Sequence, residues 1–216
     1  CAGGGITTER GSAGNTFVAE DGQTLYYRLT RPVGVPAPGN GFPVIVHVDG
    51  GPGVQRVRNE WSPLLLQLLS AHGYGVLELD NRGSGNRGRR FEAPIHRRLG
   101  DIEVRDQLRG AAFLRGLDWV DPERIGIFGH SYGGYMALMC LLKAPDVFRA
   151  AVAVALVTDW RLYDTHYTER YLGTPAEKLC VGKPFMARDG LFEGMDALLA
   201  WHPGGPTSVL GDVWPL

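Results

Sequence analysis

A chain of 216 residues, with 22 Lys+Arg against 23 Asp+Glu, can bury one sizeable core and reads as one main domain. Its balanced charge contains no basic block, which argues against nucleic acid or an anionic membrane surface as partner. No apolar run approaches the roughly twenty residues that a membrane helix needs.

Residues 1–16 are Gly-rich and read as a disordered or unrelated lead. Starting on Cys1 reads as a fragment boundary rather than a mature lipoprotein end. Thr16 to Leu29 reads as a β-hairpin, two β-prone runs joined through Asp21-Gly22. Residues 31–43 are rich in Pro and Gly and form a surface loop. Pro43 leads into Val44-Ile45-Val46-His47-Val48, a continuous apolar strand of the kind buried on both faces, in which His47 reads as a hydrogen-bonded core residue. Asp49-Gly50-Gly51-Pro52-Gly53 follows as a Gly-rich loop.

Ser62-Pro63 predicts a helix start, with serine as N-cap and proline at the first helical position. The helix ends at Ala71-His72-Gly73, and Tyr74 to Leu79 is the next strand, running into Asp80-Asn81-Arg82-Gly83-Ser84-Gly85. Arg87-Gly88-Arg89-Arg90 reads as a solvated, salt-bridged loop. Asp101 to Leu117 carries Val104, Leu108, Ala111 and Leu114 at helical spacing, so Glu103, Arg105, Asp106 and Arg109 are expected on its wet face.

Ile125-Gly126-Ile127-Phe128 is a short apolar strand, and Gly134 to Leu142 an apolar helix that holds Cys140 as a core residue. Between them stands Gly129-His130-Ser131-Tyr132-Gly133. This is strand, sharp turn and helix with a serine at the apex. The Gly-x-Ser-x-Gly turn strains the serine backbone, and its small flanks let strand and helix pass closely. The hydroxyl then stands clear of the sheet, and the first helix amides face a developing oxyanion. A plain Gly/Ser turn would leave Gly133-Gly134 and the two aromatics unexplained. Ala150 to Val157 reads as another buried strand. Alternating strands and helices of this length predict an α/β fold with a mostly parallel sheet and its function at the strands' carboxyl ends. Cys1, Cys140 and Cys180 show no metal or redox spacing.

With these segments in order, Asp121-Pro122-Glu123-Arg124 through Gly134-Tyr135 resembles the catalytic segment of the prolyl oligopeptidase family. The likeness is to the dipeptidyl peptidase IV branch in its bacterial form. Gly50-Gly51-Pro52-Gly53, Glu78 to Gly85, Thr158-Asp159-Trp160 and Tyr167 to Tyr171 match as well. Roughly residues 17–176 are covered, so 17–177 is expected to be a partial α/β-hydrolase peptidase domain that lacks its last strands, with 178–216 a divergent tail. The resemblance implies a serine peptidase cleaving peptides after proline or alanine through an acyl-enzyme, with no cofactor or metal. Ser131 is then the nucleophile and the Tyr132 N–H one oxyanion donor. Val157, Trp160, Tyr163 and Tyr167 fall where the family builds its apolar proline pocket; taken alone, these aromatics read equally well as a helix packed on the core.

Departures accompany the matches. The family has a tyrosine, donating the second oxyanion hydrogen bond, where this chain has Asp49, and Leu156 replaces a proline. The serine needs a histidine oriented by an acid in the order Ser, Asp, His. His202 follows Asp189 and Asp196 (Asp212 comes later), but no strand precedes it to fix the imidazole, and His166 is a poorer fit. The family's β-propeller, which binds the substrate's amino terminus, has no counterpart. Two rival readings therefore stand beside the peptidase. One is an inactive, truncated domain whose unpaired sheet edge favours association, a homodimer included; the other is a general esterase. Secretion or a periplasmic location is suggested by the resemblance alone.

Overall fold

A computed structural model describes residues 15–174 of the chain. The glycine-rich lead up to residue 14, the tail 178–216 and its Asp189, Asp196, His202 and Asp212 lie outside the described residues. Six strands form one sheet: β1 (Thr16–Val18), β2 (Thr24–Thr30), β3 (Phe42–Val48), β4 (Gly75–Asp80), β5 (Val120–His130) and β6 (Ala150–Val154), in the order β1-β2-β4-β3-β5-β6. The hairpin β1-β2 joins β4 antiparallel, and β4, β3, β5 and β6 run parallel. That is the expected α/β architecture, with parallel strands central and apolar on both faces. Every residue of β4 is buried, and so are Val44, Val46 and Val48 of β3.

Helices α1 (Leu64–Ala71), α2 (Arg89–Glu92), α3 (Ile102–Arg115), α4 (Tyr132–Lys143) and α5 (Thr165–Leu172) complete the described fold. No described helix is long and apolar enough to cross a membrane. Val104, Ala111 and Leu114 of α3 and Met136, Ala137 and Cys140 of α4 pack with Val44, Val46, Leu77, Ile125 and Ile127 in one core. Burial pushes the Cys140 thiol well above its ordinary pKa, so it stays an inert thiol. His47 is a core residue as expected. Its ring stacks on Phe128 with centroids 5.2 Å apart, and its Nδ1 lies 3.2 Å from Glu78 Oε1. Burial raises the Glu78 pKa, but bonds from His47 and Arg28 outweigh it and hold this carboxyl below its ordinary value. An acid inside β4 is therefore tolerated because it is paired.

Four local expectations are corrected. Pro63 itself takes the cap position of α1, with extended backbone and no side-chain cap bond, while the Ser62 carbonyl accepts from Gln67 Nε2 at 2.6 Å. Arg89 and Arg90 begin α2 instead of continuing a loop. Arg87 has no salt bridge among the described residues: its Nη2 donates to the Thr24 carbonyl at 2.9 Å, and its guanidinium lies 4.2 Å from the Tyr26 ring centroid and 4.1 Å from that of Phe91. Two aromatic faces hold it by cation–π attraction. The strand after α4 stops at Val154, because Ala155 turns to a φ of +49°, and it is less buried than expected, with Val152 exposed at the edge of the described sheet.

The fourth correction concerns α3. Glu103, Asp106 and Gln107 are fully buried, not solvated. The helix packs its apolar side on the sheet, and Asp106 and Gln107 meet the loop that follows β4 instead of water. Asp106 accepts from the Arg82 backbone N–H at 2.8 Å and from its Nε at 2.9 Å, while Arg82 also pairs with Asp21. Gln107 Nε2 donates to Asn81 Oδ1 at 2.8 Å, and Asn81 Nδ2 donates to the Gly50 carbonyl at 3.1 Å. Gly53 N–H donates to the Gly83 carbonyl at 2.8 Å. These bonds tie the loops after β3 and β4 to each other and to α3.

Removing one partner of a buried pair leaves an uncompensated charge, so Asp106→Ala is expected to cost about 3–5 kcal/mol. Glu123→Ala, at an exposed pair with Arg149, should cost less than about 1 kcal/mol. Urea unfolding followed by circular dichroism measures both.

Candidate active site

Ser131 sits between β5 and α4 with φ +58° and ψ −117°, a backbone state that side chains rarely adopt. Two bonds hold the strained turn: Ser131 N–H donates to the Val154 carbonyl at 2.8 Å, and Tyr135 N–H donates to the Ser131 carbonyl at 3.1 Å. Space around it requires glycine. A β-carbon on Gly129 would lie 2.1 Å from the Gly133 carbonyl oxygen, and one on Gly133 would lie 2.2 Å from the Val48 carbonyl oxygen. Gly134 is confined less tightly, since a β-carbon on it would lie 2.8 Å from the Val154 carbonyl oxygen. The Gly133-Gly134 pair thus lets the start of α4 slide between the ends of β3 and β6. Ser131 stands half-buried at the carboxyl end of the sheet, directly ahead of the first α4 amides.

Asp49 ends up beside this helix start. The β-carbon position of Gly133 is 3.1 Å from Asp49 Cα, and Asp49 Oδ1 accepts from Gly51 N–H at 3.2 Å. Its carboxyl is turned back onto its own loop and donates nothing toward Ser131. Tyr167 lies within reach of the Asp49 charge; burial above all, then Tyr171, Tyr163 and Asp49, pushes its phenol well up, so it stays protonated.

The aromatic segment 157–171 closes over the same end of the sheet. Trp160 opens a short 3-10 turn, Trp160–Leu162, whose cap Asp159 accepts from Arg161 N–H. Asp164 caps α5 by accepting from Tyr167 N–H at 2.9 Å, and Thr168 Oγ1 donates to the Trp160 carbonyl at 3.1 Å. Locked this way, the Tyr167 and Trp160 rings stack at 5.8 Å and 9°, and Tyr163 meets both edge-on at 85°. Trp160 also touches Tyr132 and Tyr135, with centroids 5.6 and 5.3 Å apart. Val157 and Trp160 are buried with them, whereas Tyr163 is 40% exposed. Val157, Trp160, Tyr163 and Tyr167 therefore share one apolar cluster with the residue that follows Ser131.

The histidine and acid of a hydrolytic triad are not assembled among the described residues. No described histidine hydrogen-bonds Ser131: His47 is engaged with Glu78, and His130 and His166 are exposed. Behind the serine lies a group that pattern reading placed in solvent. Glu103 Oε1 accepts from Tyr132 Oη at 2.7 Å and from Gly100 N–H at 3.0 Å, and its Oε2 accepts from Asp101 N–H at 3.1 Å. Burial outweighs these bonds and raises the Glu103 pKa to about 6. Burial, and then the Glu103 charge, pushes Tyr132 well above its ordinary value. No spacing rule joins Glu103 to Tyr132; the nearest signal is an acid on the first turn of a helix that precedes the serine strand.

The prolyl oligopeptidase family profile matches residues 60–186. Human dipeptidyl peptidase 8 is 43% identical over 164 residues, covering 74% of this chain and 18% of that protein. A probable dipeptidyl peptidase 4 of Aspergillus flavus is 38% identical over 157 residues, 71% of this chain and 20% of that protein. Among solved structures, a putative dipeptidyl aminopeptidase IV of Bacteroides ovatus superposes with a TM-score of 0.78 at 38% identity, over 91% of this chain and 27% of that one. Dipeptidyl peptidase 4 of Porphyromonas gingivalis gives 0.72 at 35% identity, over 80% and 24%. The chain spans about a fifth of the length of the curated relatives it matches.

Two measurements check this geometry. Glycine relieves a positive φ that alanine does not, so Ser131→Gly should be more stable than Ser131→Ala by about 1 kcal/mol in thermal or urea unfolding. A carboxyl whose folded pKa lies above its ordinary 4.5 favours the fold when neutral. Its contribution is present below pH 4.5 and is lost as pH rises through about 6. Wild type should therefore lose about 2 kcal/mol more than Glu103→Gln between pH 4.5 and 7.5, read as the difference between their unfolding curves.

Proposed function

From the chain's membership of the prolyl oligopeptidase family, we propose that it carries the nucleophile and the proline-side pocket of a serine peptidase of the dipeptidyl peptidase IV type. The observation that carries this reading is the strained Ser131 at the head of α4, adjoining the Trp160–Tyr163–Tyr167 cluster. Ser131 Oγ attacks the carbonyl carbon of the residue before the scissile bond, and the carbonyl oxygen takes the negative charge facing Tyr132 N–H. The C–N bond then breaks, the amine leaves with a proton, and water hydrolyses the acyl group left on Ser131. A flat pyrrolidine ring suits the faces of Trp160 and Tyr167, which favours proline, or the small alanine, at that position.

The proton from Ser131 needs a histidine base. His202, placed after Asp189 and Asp196, is the candidate in this chain that meets the order of a triad. A second reading, weak or absent turnover, is favoured by Asp49: an ionised carboxylate there cannot donate, and its charge opposes the oxyanion.

Labelling with a fluorophosphonate, which phosphonylates an activated serine, tests the reading. Wild type should label, and Ser131→Ala should not. Loss of labelling in His202→Ala would make that residue the base, whereas no labelling of wild type above the Ser131→Ala background would leave the inactive reading. An Ala-Pro anilide should be cleaved in preference to a short acyl ester, and Trp160→Ala should lower kcat/KM for the anilide by roughly 10²-fold while changing the ester far less. Asp49→Asn removes the opposing charge and should speed labelling about 10-fold.

A further inference from the structure

We infer that Glu103 is a positioning residue for the oxyanion site, holding the Tyr132 phenol so that the Tyr132 backbone N–H is fixed toward the atom attacked by Ser131. The inference rests on the proposed role of Ser131 and adds to it a residue on a different element. Tyr132 follows a residue in a strained state, and its own amide is the first of α4. The Tyr135 N–H bond to the Ser131 carbonyl holds one edge of that peptide plane; what grips the Tyr132 side chain adds a second restraint on where its N–H points.

The grip has three parts. Tyr132 Oη donates a hydrogen bond to Glu103 Oε1 at 2.7 Å. The ring meets Tyr135 edge-on at 79° and lies against Trp160. On the side of the β3 loop, a β-carbon on Gly51 would stand 3.2 Å from Tyr132 Cγ. Ring packing alone leaves a phenol free to slide along its long axis, and the bond at its far end stops that movement.

Glu103 is itself immobile. Its two oxygens are engaged by Gly100 and Asp101 N–H, and that turn is anchored from α4: Tyr135 Oη donates to the Leu99 carbonyl at 2.9 Å and Lys143 Nζ donates to the Gly100 carbonyl at 2.7 Å. The same stretch reaches the pocket, because Arg97 N–H donates to the Tyr171 carbonyl on α5 at 2.7 Å. One buried carboxylate thus joins the start of α4 to a framework that also carries Tyr167. A structural acid would be satisfied by the two loop amides; the third bond, spent on the residue beside the nucleophile, is what gives Glu103 its reach into the site.

The test compares wild type with Tyr132→Phe, Glu103→Ala and Glu103→Gln on two matched substrates, a carboxylic ester and its thionoester. In the thionoester, sulfur replaces the carbonyl oxygen and accepts hydrogen bonds poorly, so the oxygen-to-sulfur rate ratio reports on the oxyanion donor. Tyr132→Phe and Glu103→Ala should lower that ratio about 10-fold, through kcat with little change in KM. Glu103→Gln should keep most of it, since a carbonyl oxygen in the Oε1 place still accepts from Tyr132. Equal loss of both rates, with the ratio unchanged, would overturn the inference and leave a merely structural acid.

A second measurement does not depend on turnover. The Tyr132 amide in ¹⁵N-labelled protein should shift and exchange its hydrogen at least about 10-fold faster in Tyr132→Phe and Glu103→Ala, with Ala153 in β6 unaffected. An unchanged Tyr132 amide sinks the inference. An inactive wild type whose Tyr132 amide still responds would sink the peptidase reading while sustaining the positioning role.

Discussion

At the Ser131 turn, backbone passes backbone with no room for a β-carbon. Gly129 lies against the Gly133 carbonyl, Gly133 against the carbonyl of Val48, and Gly134 against that of Val154. These three approaches decide where α4 begins, and α4 in turn decides which end of the sheet can hold chemistry. A helix seated this deeply brings its first amides level with the ends of β3 and β6, so the partial positive charge of its N-terminus meets the space above Ser131. The price of that placement is backbone strain at Ser131, sustained by the bonds to Val154 and Tyr135.

Around this point the chain spends polar groups where an ordinary α/β domain would place apolar ones. Asp106 with Arg82, Gln107 with Asn81, and Glu103 with Tyr132 are all buried and all bridge different elements. Such pairs add little net stability compared with well-packed hydrophobic groups, because desolvation offsets attraction. What they add is geometry: each has few satisfactory arrangements, so the loops after β3 and β4 and the start of α4 hold fixed mutual positions. The aromatic cluster of Trp160, Tyr163 and Tyr167 is oriented in the same way, through the caps Asp159 and Asp164 and the Thr168 bond to Trp160.

Family membership and the described fold place Ser131 on a strained strand–turn–helix junction at the carboxyl end of the sheet. Asp49 separates this chain from the pattern it resembles, since it places a hydrogen-bond acceptor where the pattern has a donor. Its carboxyl has found a local partner in Gly51 N–H, so the loop is satisfied as a loop whatever it does for catalysis. Stability and chemistry are decoupled there: the fold tolerates Asp49, and only the charge of a developing oxyanion would register it.

Much of this was legible from local pattern. The Asp21-Gly22 hairpin, the apolar β3, the buried Cys140 and the strand–serine–helix turn each depend on residues close in sequence, where turn chemistry and periodicity act directly. The likeness across several ordered motifs rests on the same local segments. Contacts between distant segments escaped that reading. Glu103 and Asp106 occupy positions that look solvated on a helix, and only Tyr132 and Arg82, arriving from other elements, make them interior. Arg87 resembled a loop cation until Tyr26 and Phe91 closed on it, and Ala155 ended a strand whose composition could have continued. The sequence alone determined the order of elements, the family and the strand–serine–helix turn at Ser131, because each is written in short-range spacing. Tertiary structure decided which charges are buried, which amide is pinned and how the aromatics face one another, because burial and hydrogen bonding belong to pairs of residues that adjacency in the chain does not bring together.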